Sequence, residues 1–172
     1  MNAEELRTVQ APIKARYRDE PSAALRTLRV VGRLDPGAQT CVIETGHPST
    51  VVAGLHEAAG GNGVEACSAD MLLQSLAACA GVTLGAVATA MGLNVTGGTV
   101  AAEGDLDFRG TLGVDKATPV GFLGVRLHFE LDAPGVDGDA VANLLRLTER
   151  YCVVFQTLKR PPEVTASASG HS

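Results

Sequence analysis

The residues of this sequence best suited to chemistry are four cysteines, Cys41, Cys67, Cys79 and Cys152, and four histidines, His47, His56, His128 and His171. No two cysteines lie at C-x-x-C spacing, and there is no H-x-x-x-H or close Cys/His pair. The usual zinc signatures are therefore absent, and no metal or other cofactor is expected. A thiol must become a thiolate to react as a nucleophile. Cys79, in LAACAGV, has no charged neighbour in sequence, and burial would raise its pKa, so a cation must arrive from elsewhere in the fold. Without one it is a packing residue, as small and apolar as its neighbours. Cys152 stands in YCVVFQTL, where a β-branched run interrupts a helical pattern.

The segment that carries Cys79, Ser68 to Met91, reads SADMLLQSLAACAGVTLGAVATAM and predicts one long helix. Ser68 is suited to cap it, Asp70 favours the positive end of its dipole, and Gly92 is suited to close it. A helix apolar nearly all round belongs at the centre of a protein or at a subunit interface. Ala77, Gly81, Gly85 and Thr89 recur every four residues and form a stripe of small side chains for close backbone approach. Each Gly there is about 1 kcal/mol worse than Ala in helix propensity, a cost that tight packing offsets. Asp137 to Lys159 is again helical, with Val141, Leu144, Leu145 and Thr148 on one face and Arg146, Glu149 and Arg150 opposite. Val153-Val154-Phe155 predicts that this helix breaks just before Cys152 and restarts there, until Pro161-Pro162 ends it.

Around these helices lie the expected strands. Pro12 to Arg18, Leu25 to Leu34 and Thr40 to Thr45, separated by Asp19-Glu20-Pro21 and Asp35-Pro36-Gly37, read as a three-stranded meander. Cys41 is placed in the third as a sheet-packing residue. Gly46 to Ala66 is rich in Gly and small residues and reads as a long loop of the kind that covers a site, with His56 and Glu57 as polar groups or as a solvated pair. Val100, Ala102, Gly104, Leu106 and Phe108 alternate with polar neighbours, as do Val125, Leu127, Phe129 and Leu131, so both runs are half-buried strands. His128 falls on the wet face. Glu163 to Ser167 reads as a closing strand.

The 172 residues suit one domain, residues 1–172, with residues 1–9 and 168–172 as loose termini. With 45% hydrophobic and 19% charged residues the composition is globular, and no apolar run is read as approaching the roughly 20 residues of a membrane helix. The net charge of −5 and the scarcity of aromatics, two Tyr, four Phe and no Trp, argue against nucleic-acid binding. The first residues, MNAEELRTVQAPIK, lack the apolar region of a signal peptide, so a cytoplasmic protein with reduced thiols is expected.

The two stretches SADMLLQSLAACAGVTL and YCVVFQTL, followed by PPEVTAS, resemble the two cysteine motifs and closing strand of the OsmC/Ohr family, named for osmotic induction and organic hydroperoxide resistance. The order of strands and helices agrees with that family over nearly the whole chain. The resemblance implies an α+β fold with an antiparallel sheet packed on a long central helix, in an intertwined homodimer whose two central helices meet along the Ala77, Gly81, Gly85 stripe. It implies that Cys79 attacks the distal oxygen of an organic hydroperoxide and that Cys152 resolves the sulfenic acid as a disulfide, which a dithiol such as a lipoyl group reduces. Such chemistry asks for a guanidinium at the thiolate and a carboxylate to orient it. Arg18, with Arg16 second, is the expected guanidinium; read without the resemblance, both are surface cations. The orienting glutamate of the family corresponds here to Ala69-Asp70, so Asp70 is the candidate acid, although it is shorter. Val153-Val154-Phe155 replaces the family's Pro-Val-Ser. An apolar pocket lined by Leu76 of the helix and by the loop carrying His56 is expected to hold an alkyl or acyl substrate. The competing expectation is a small-molecule-binding or stress-response protein on the same fold, with Cys79 purely structural.

Overall fold

The computed structural model describes residues 2–20, 31–35, 40–44 and 50–169. Its elements run α1 (Ala3–Asp19), β1 (Val31–Asp35), β2 (Thr40–Glu44), β3 (Thr50–Gly54), a 3-10 turn (Glu57–Ala59), β4 (Ala66–Cys67), α2 (Ser68–Met91), β5 (Gly97–Asp105), α3 (Phe108–Thr111), β6 (Gly124–Asp132), α4 (Gly138–Tyr151) and α5 (Val153–Lys159).

The long helix forms as its sequence predicts. Gly92 closes α2 in the left-handed region, with φ 69°, the conformation glycine adopts without a steric cost. The cap at the other end shifts by one residue: Cys67 is the N-cap and Ser68 the first helical residue. Leu76, Ala80, Leu84 and Ala88 make the buried stripe. Leu84, Ala88 and Leu144 of α4 form a core that Phe129 and Leu131 of β6 cover. α2 is also long and apolar enough to cross a membrane by length and composition, which corrects the expectation that no segment is. Here the helix is packed against α4, α5 and β5.

One position of the small-residue stripe, Gly81, faces a partner within the chain. A side chain at Gly81 would meet Val100 of β5 at 3.4 Å, and Gly81, Leu84 and Gly85 floor a cavity of about 290 Å³ beneath β5 and β6. β5 and β6 pair antiparallel from Gly97 opposite Asp132 to Asp105 opposite Gly124. From Val100 onward β5 alternates half-buried with exposed residues, and His128 lies on the exposed face of β6. The exposed face carries Arg126 held by Glu103 and Asp105.

The N-terminal half departs from expectation. Pro12 to Arg18 belongs to α1 rather than to a strand, and residues 3–9, expected to be loose, are helical. A capping box explains why: the Asn2 side chain accepts the Glu5 N–H, and the Glu5 carboxylate accepts the Asn2 N–H, each at 2.9 Å. The cap and the run of good helix formers outweigh the missing N–H of Pro12. Of the remaining meander, β1 and β2 pair antiparallel, and β2 pairs antiparallel with β3, with Cys41 opposite Leu34 and Ala53. Residues 25–30 of the expected second strand lie outside the described residues.

The segment from Gly46 to Ala66 is not one loop. Thr50-Val51-Val52, a β-branched run, starts β3, and β4 adds in parallel with Ala53 opposite Ala66 and Gly54 opposite Cys67. Strands therefore fall into a mixed four-stranded sheet and a separate antiparallel pair, not one antiparallel sheet. Glu163 to Ser167 is irregular and exposed, with Val164 86% accessible, so the expected closing strand does not form within this chain.

Candidate active site

Cys79 lies midway along α2 and is half-buried. Opposite it the chain breaks where the β-branched run predicts. Cys152 is at once the C-cap of α4 and the N-cap of α5, in extended conformation with φ −73° and ψ 111°. Its N–H still donates to Thr148 O at 2.9 Å, and its C=O already accepts the N–H of Gln156 at 3.0 Å. The break matters chemically because the first N–H groups of a helix have no partner inside it. Those of Val153 and Val154 favour the Cys79 thiolate.

Burial pushes the Cys79 thiol up, but hydrogen bonds from the Val154 amide, the Cys152 thiol, the Val153 amide and the Thr83 hydroxyl outweigh it, and the net shift is downward. Cys152 moves the other way. Its own burial, at 1% exposure, and the adjacent Cys79 sulfur raise it, and the Phe155 amide offsets only part of that. Of two thiols in contact, Cys79 ionises first and Cys152 keeps its proton.

Between α2, β6 and α5 a cavity of about 780 Å³, whose lining includes neither thiol, is lined mainly by apolar side chains, including Leu72 and Leu76 of α2, Phe122, Leu127, and Phe155 and Leu158 of α5. Leu72 and Leu76 lie one to two turns before Cys79 on α2, and Phe155 and Leu158 one to two turns after Cys152, so the cavity shares its two helices with the thiols.

The other expected site residues are distributed differently. Leu76 is 1% exposed and lines the cavity. Asp70 is in the first turn of α2, exposed, and makes no ion pair among the described residues. His56 caps the 3-10 turn, its Nδ1 accepting the Ala58 N–H at 3.0 Å, and its ring lies 4.8 Å from that of Phe108. That is a local structural role, and the loop it was expected to occupy is partly strand. Arg18 is in the last turn of α1, and its side chain lies outside the described residues. Arg16 is spent at the surface, 3.8 Å from Glu20. The first three turns of α1 pass Ala90, about 17 Å along α2 from Cys79 at 1.5 Å per residue. His47 and His171 lie outside the described residues, and among the described residues no cluster of His, Cys, Asp and Glu is suited to a metal.

Three groups at the sulfur escape sequence reading. Thr83 carries a signal in retrospect, the i, i+4 spacing that stacks it one turn beyond Cys79 on the same helix face. The amides of Val153 and Val154 carry none in their side chains. Their availability follows only from the break at Cys152.

A thiol pair joining a long apolar helix to a helix break, on an α+β scaffold, defines the class. The family model described as OsmC-like protein matches residues 60–167, and the chain belongs to that family. Solved structures agree in fold. The OsmC-like protein from Mycoplasma pneumoniae is similar with a TM-score of 0.65 and 14% identity, over 79% of this chain and 89% of that one. An organic hydroperoxide resistance protein OsmC from Legionella pneumophila, also described as a predicted redox protein, has a TM-score of 0.62 and 20% identity, over 80% and 92%. The organic hydroperoxide resistance protein OhrB of Bacillus subtilis has a TM-score of 0.55 and 16% identity, over 80% and 94%. No curated protein sequence matches the chain.

Proposed function

We propose that this protein is a thiol-dependent peroxidase for organic hydroperoxides. The observation that carries the reading is the contact between a Cys79 sulfur lowered in pKa and a Cys152 thiol raised in pKa. The Cys79 thiolate attacks the distal oxygen of ROOH, the O–O bond breaks, and the alkoxide leaves as ROH on taking a proton. Cys79 is then a sulfenic acid. The Cys152 sulfur attacks it, its proton leaves with the hydroxyl as water, and a Cys79–Cys152 disulfide remains. An external dithiol, a lipoyl group for example, takes the disulfide back to two thiols and is itself oxidised. The 780 Å³ apolar cavity favours a substrate with an alkyl or acyl body over hydrogen peroxide.

The working unit in this reading is a homodimer in a reducing cytoplasm. Val82 of α2 is 76% exposed and Gly85 faces open space in the single chain, surface that a second copy would cover. Arg18 is the proposed guanidinium at Cys79, with Asp70 as a candidate for orienting it.

Reduced protein exposed to cumene hydroperoxide should consume it and lose two hydrogens as the disulfide forms, read by intact mass. Unchanged mass with no peroxide loss would sink the proposal. Asp70, exposed and without an ion pair among the described residues, favours one alternative, a small-molecule-binding protein that holds its ligand in the same cavity. In that case Cys79→Ser retains ligand binding and the wild type shows no thiol oxidation.

A further inference from the structure

Gly104 stands on the half-buried face of β5, where the alternation of the strand also places Val100 and Ala102. Its backbone does not call for glycine, because it is not one of the positive-φ glycines of the described residues. Space calls for it instead. A Cβ at Gly104 would lie 2.5 Å from Cε1 and 2.6 Å from Cδ1 of Phe122, well inside the roughly 3.5–4.0 Å at which carbon atoms ordinarily touch. Among the described glycines this is the one whose missing side chain is replaced by an aromatic ring.

The ring that fills the gap also lines the 780 Å³ cavity. Its neighbour in the chain is held: the Leu123 N–H donates to Asp105 O at 2.8 Å, tying this segment to the residue after Gly104. On the other side Gly121 lines the same cavity, and a side chain there would meet nothing within 4 Å. With the backbone held at Leu123, a ring pushed off Gly104 turns about its own side-chain bonds, and the space open to it is the cavity. The register agrees with this division of volume. Gly104 stands opposite Val125 and Ala102 opposite Leu127, and both of these larger residues line the cavity. Small residues on β5 thus give room to large ones on β6 and on the segment that leads into it.

We propose that Gly104 and Phe122 form a specificity-determining pair: the absent side chain of Gly104 seats the Phe122 ring against β5, and this seating sets the width of the cavity and the size of ligand it admits. The inference deepens the peroxidase reading and rests on it for the ligand, the apolar body of a hydroperoxide. The width of the cavity is measured without peroxide.

Full-length reduced protein is titrated with N-phenyl-1-naphthylamine, a bulky neutral fluorophore whose emission rises in apolar surroundings, and KM is measured for cumene hydroperoxide and for hydrogen peroxide. Gly104→Ala should weaken dye binding about tenfold, the scale of a methylene-sized misfit in an apolar pocket. KM for cumene hydroperoxide should rise by a similar factor, and KM for hydrogen peroxide should not change. Adding Phe122→Leu to Gly104→Ala removes the far end of the ring and should restore wild-type dye affinity. Unchanged dye affinity in Gly104→Ala overturns the proposal, as does a wild-type protein that takes up no dye. A double variant as weak as Gly104→Ala overturns it too, because the effect then belongs to β5 and not to the ring. Should Gly104→Ala fail to fold, Phe122→Trp carries the test: a larger ring on the same seat should protrude into the cavity and weaken the dye, and unchanged affinity overturns the proposal. Dye binding that depends on Gly104 in a protein that consumes no hydroperoxide would overturn the peroxidase reading and leave this one standing.

Discussion

Cys79 and Cys152 meet across two helices with opposite protonation preferences: four hydrogen-bond donors favour the thiolate at Cys79, while burial keeps Cys152 protonated. Far apart in sequence, they become one site because α2 packs against both α4 and α5 at the point where those two helices separate.

Removing the two thiols should have different consequences. Cys79→Ser is expected to bring hydroperoxide consumption to background. Cys152→Ser should still react once at Cys79, gain a single oxygen, stall without a disulfide, and overoxidise under excess peroxide. Intact mass after one and after many equivalents distinguishes the two variants, and retained turnover in Cys79→Ser would remove Cys79 from the chemistry.

The pH dependence follows from the directions of the shifts. Cys79 is lowered, so its thiolate persists to a pH below the ordinary thiol midpoint of about 8.5. As pH falls through that lowered value the sulfur protonates, and labelling slows about tenfold per unit below it. Cys152 is raised and should label only above the ordinary range. Peptide-resolved alkylation rates check both, and a Cys152 midpoint below that of Cys79 would contradict the assignment of roles.

Asp70 separates a local from a catalytic role. If the residue acts only at the helix N-terminus, Asp70→Asn costs less than about 1 kcal/mol of stability and leaves peroxide reduction unchanged. Thermal unfolding and peroxide assays on the same preparation decide it. A large fall in rate at unchanged stability would make Asp70 the orienting acid.

Filling the cavity should discriminate among substrates. Leu158 lines it at 37% exposure, so Leu158→Trp takes up part of the 780 Å³ without burying a new polar group deep in the core. The KM for a bulky aryl hydroperoxide should rise about threefold to tenfold, while hydrogen peroxide reduction changes little. Equal effects on both would indicate that the cavity does not hold the substrate.

How much of this was legible beforehand depended on the range of the signal. The span of α2 from Ser68 to Met91, the alternation along β5 and β6, and the helix break at Cys152 are written in local periodicity and in β-branched residues, and they form where expected, except that β5 ends at Asp105 and Phe108, read as its continuation, starts α3. α1 was missed because Pro12 read as a strand start, although Asn2 and Glu5 spelled a capping box. β3 was hidden among glycines, and the strand read at Glu163–Ser167 finds no partner strand among the described residues.

The sequence by itself determined α2, most of β5 and β6 and the helix break at Cys152, since side-chain spacing along a helix or strand already states which residues share a face, and its motifs made Cys79 and Cys152 the candidate thiols. Only the tertiary structure decided that Cys79 and Cys152 come together where α2 packs on α4 and α5, that the Val153 and Val154 amides favour the Cys79 thiolate, and that Gly81 admits Val100 of β5. Those outcomes depend on where backbone amides lose their helical partners and on which surfaces are buried together, and neither is a property of any short stretch of chain.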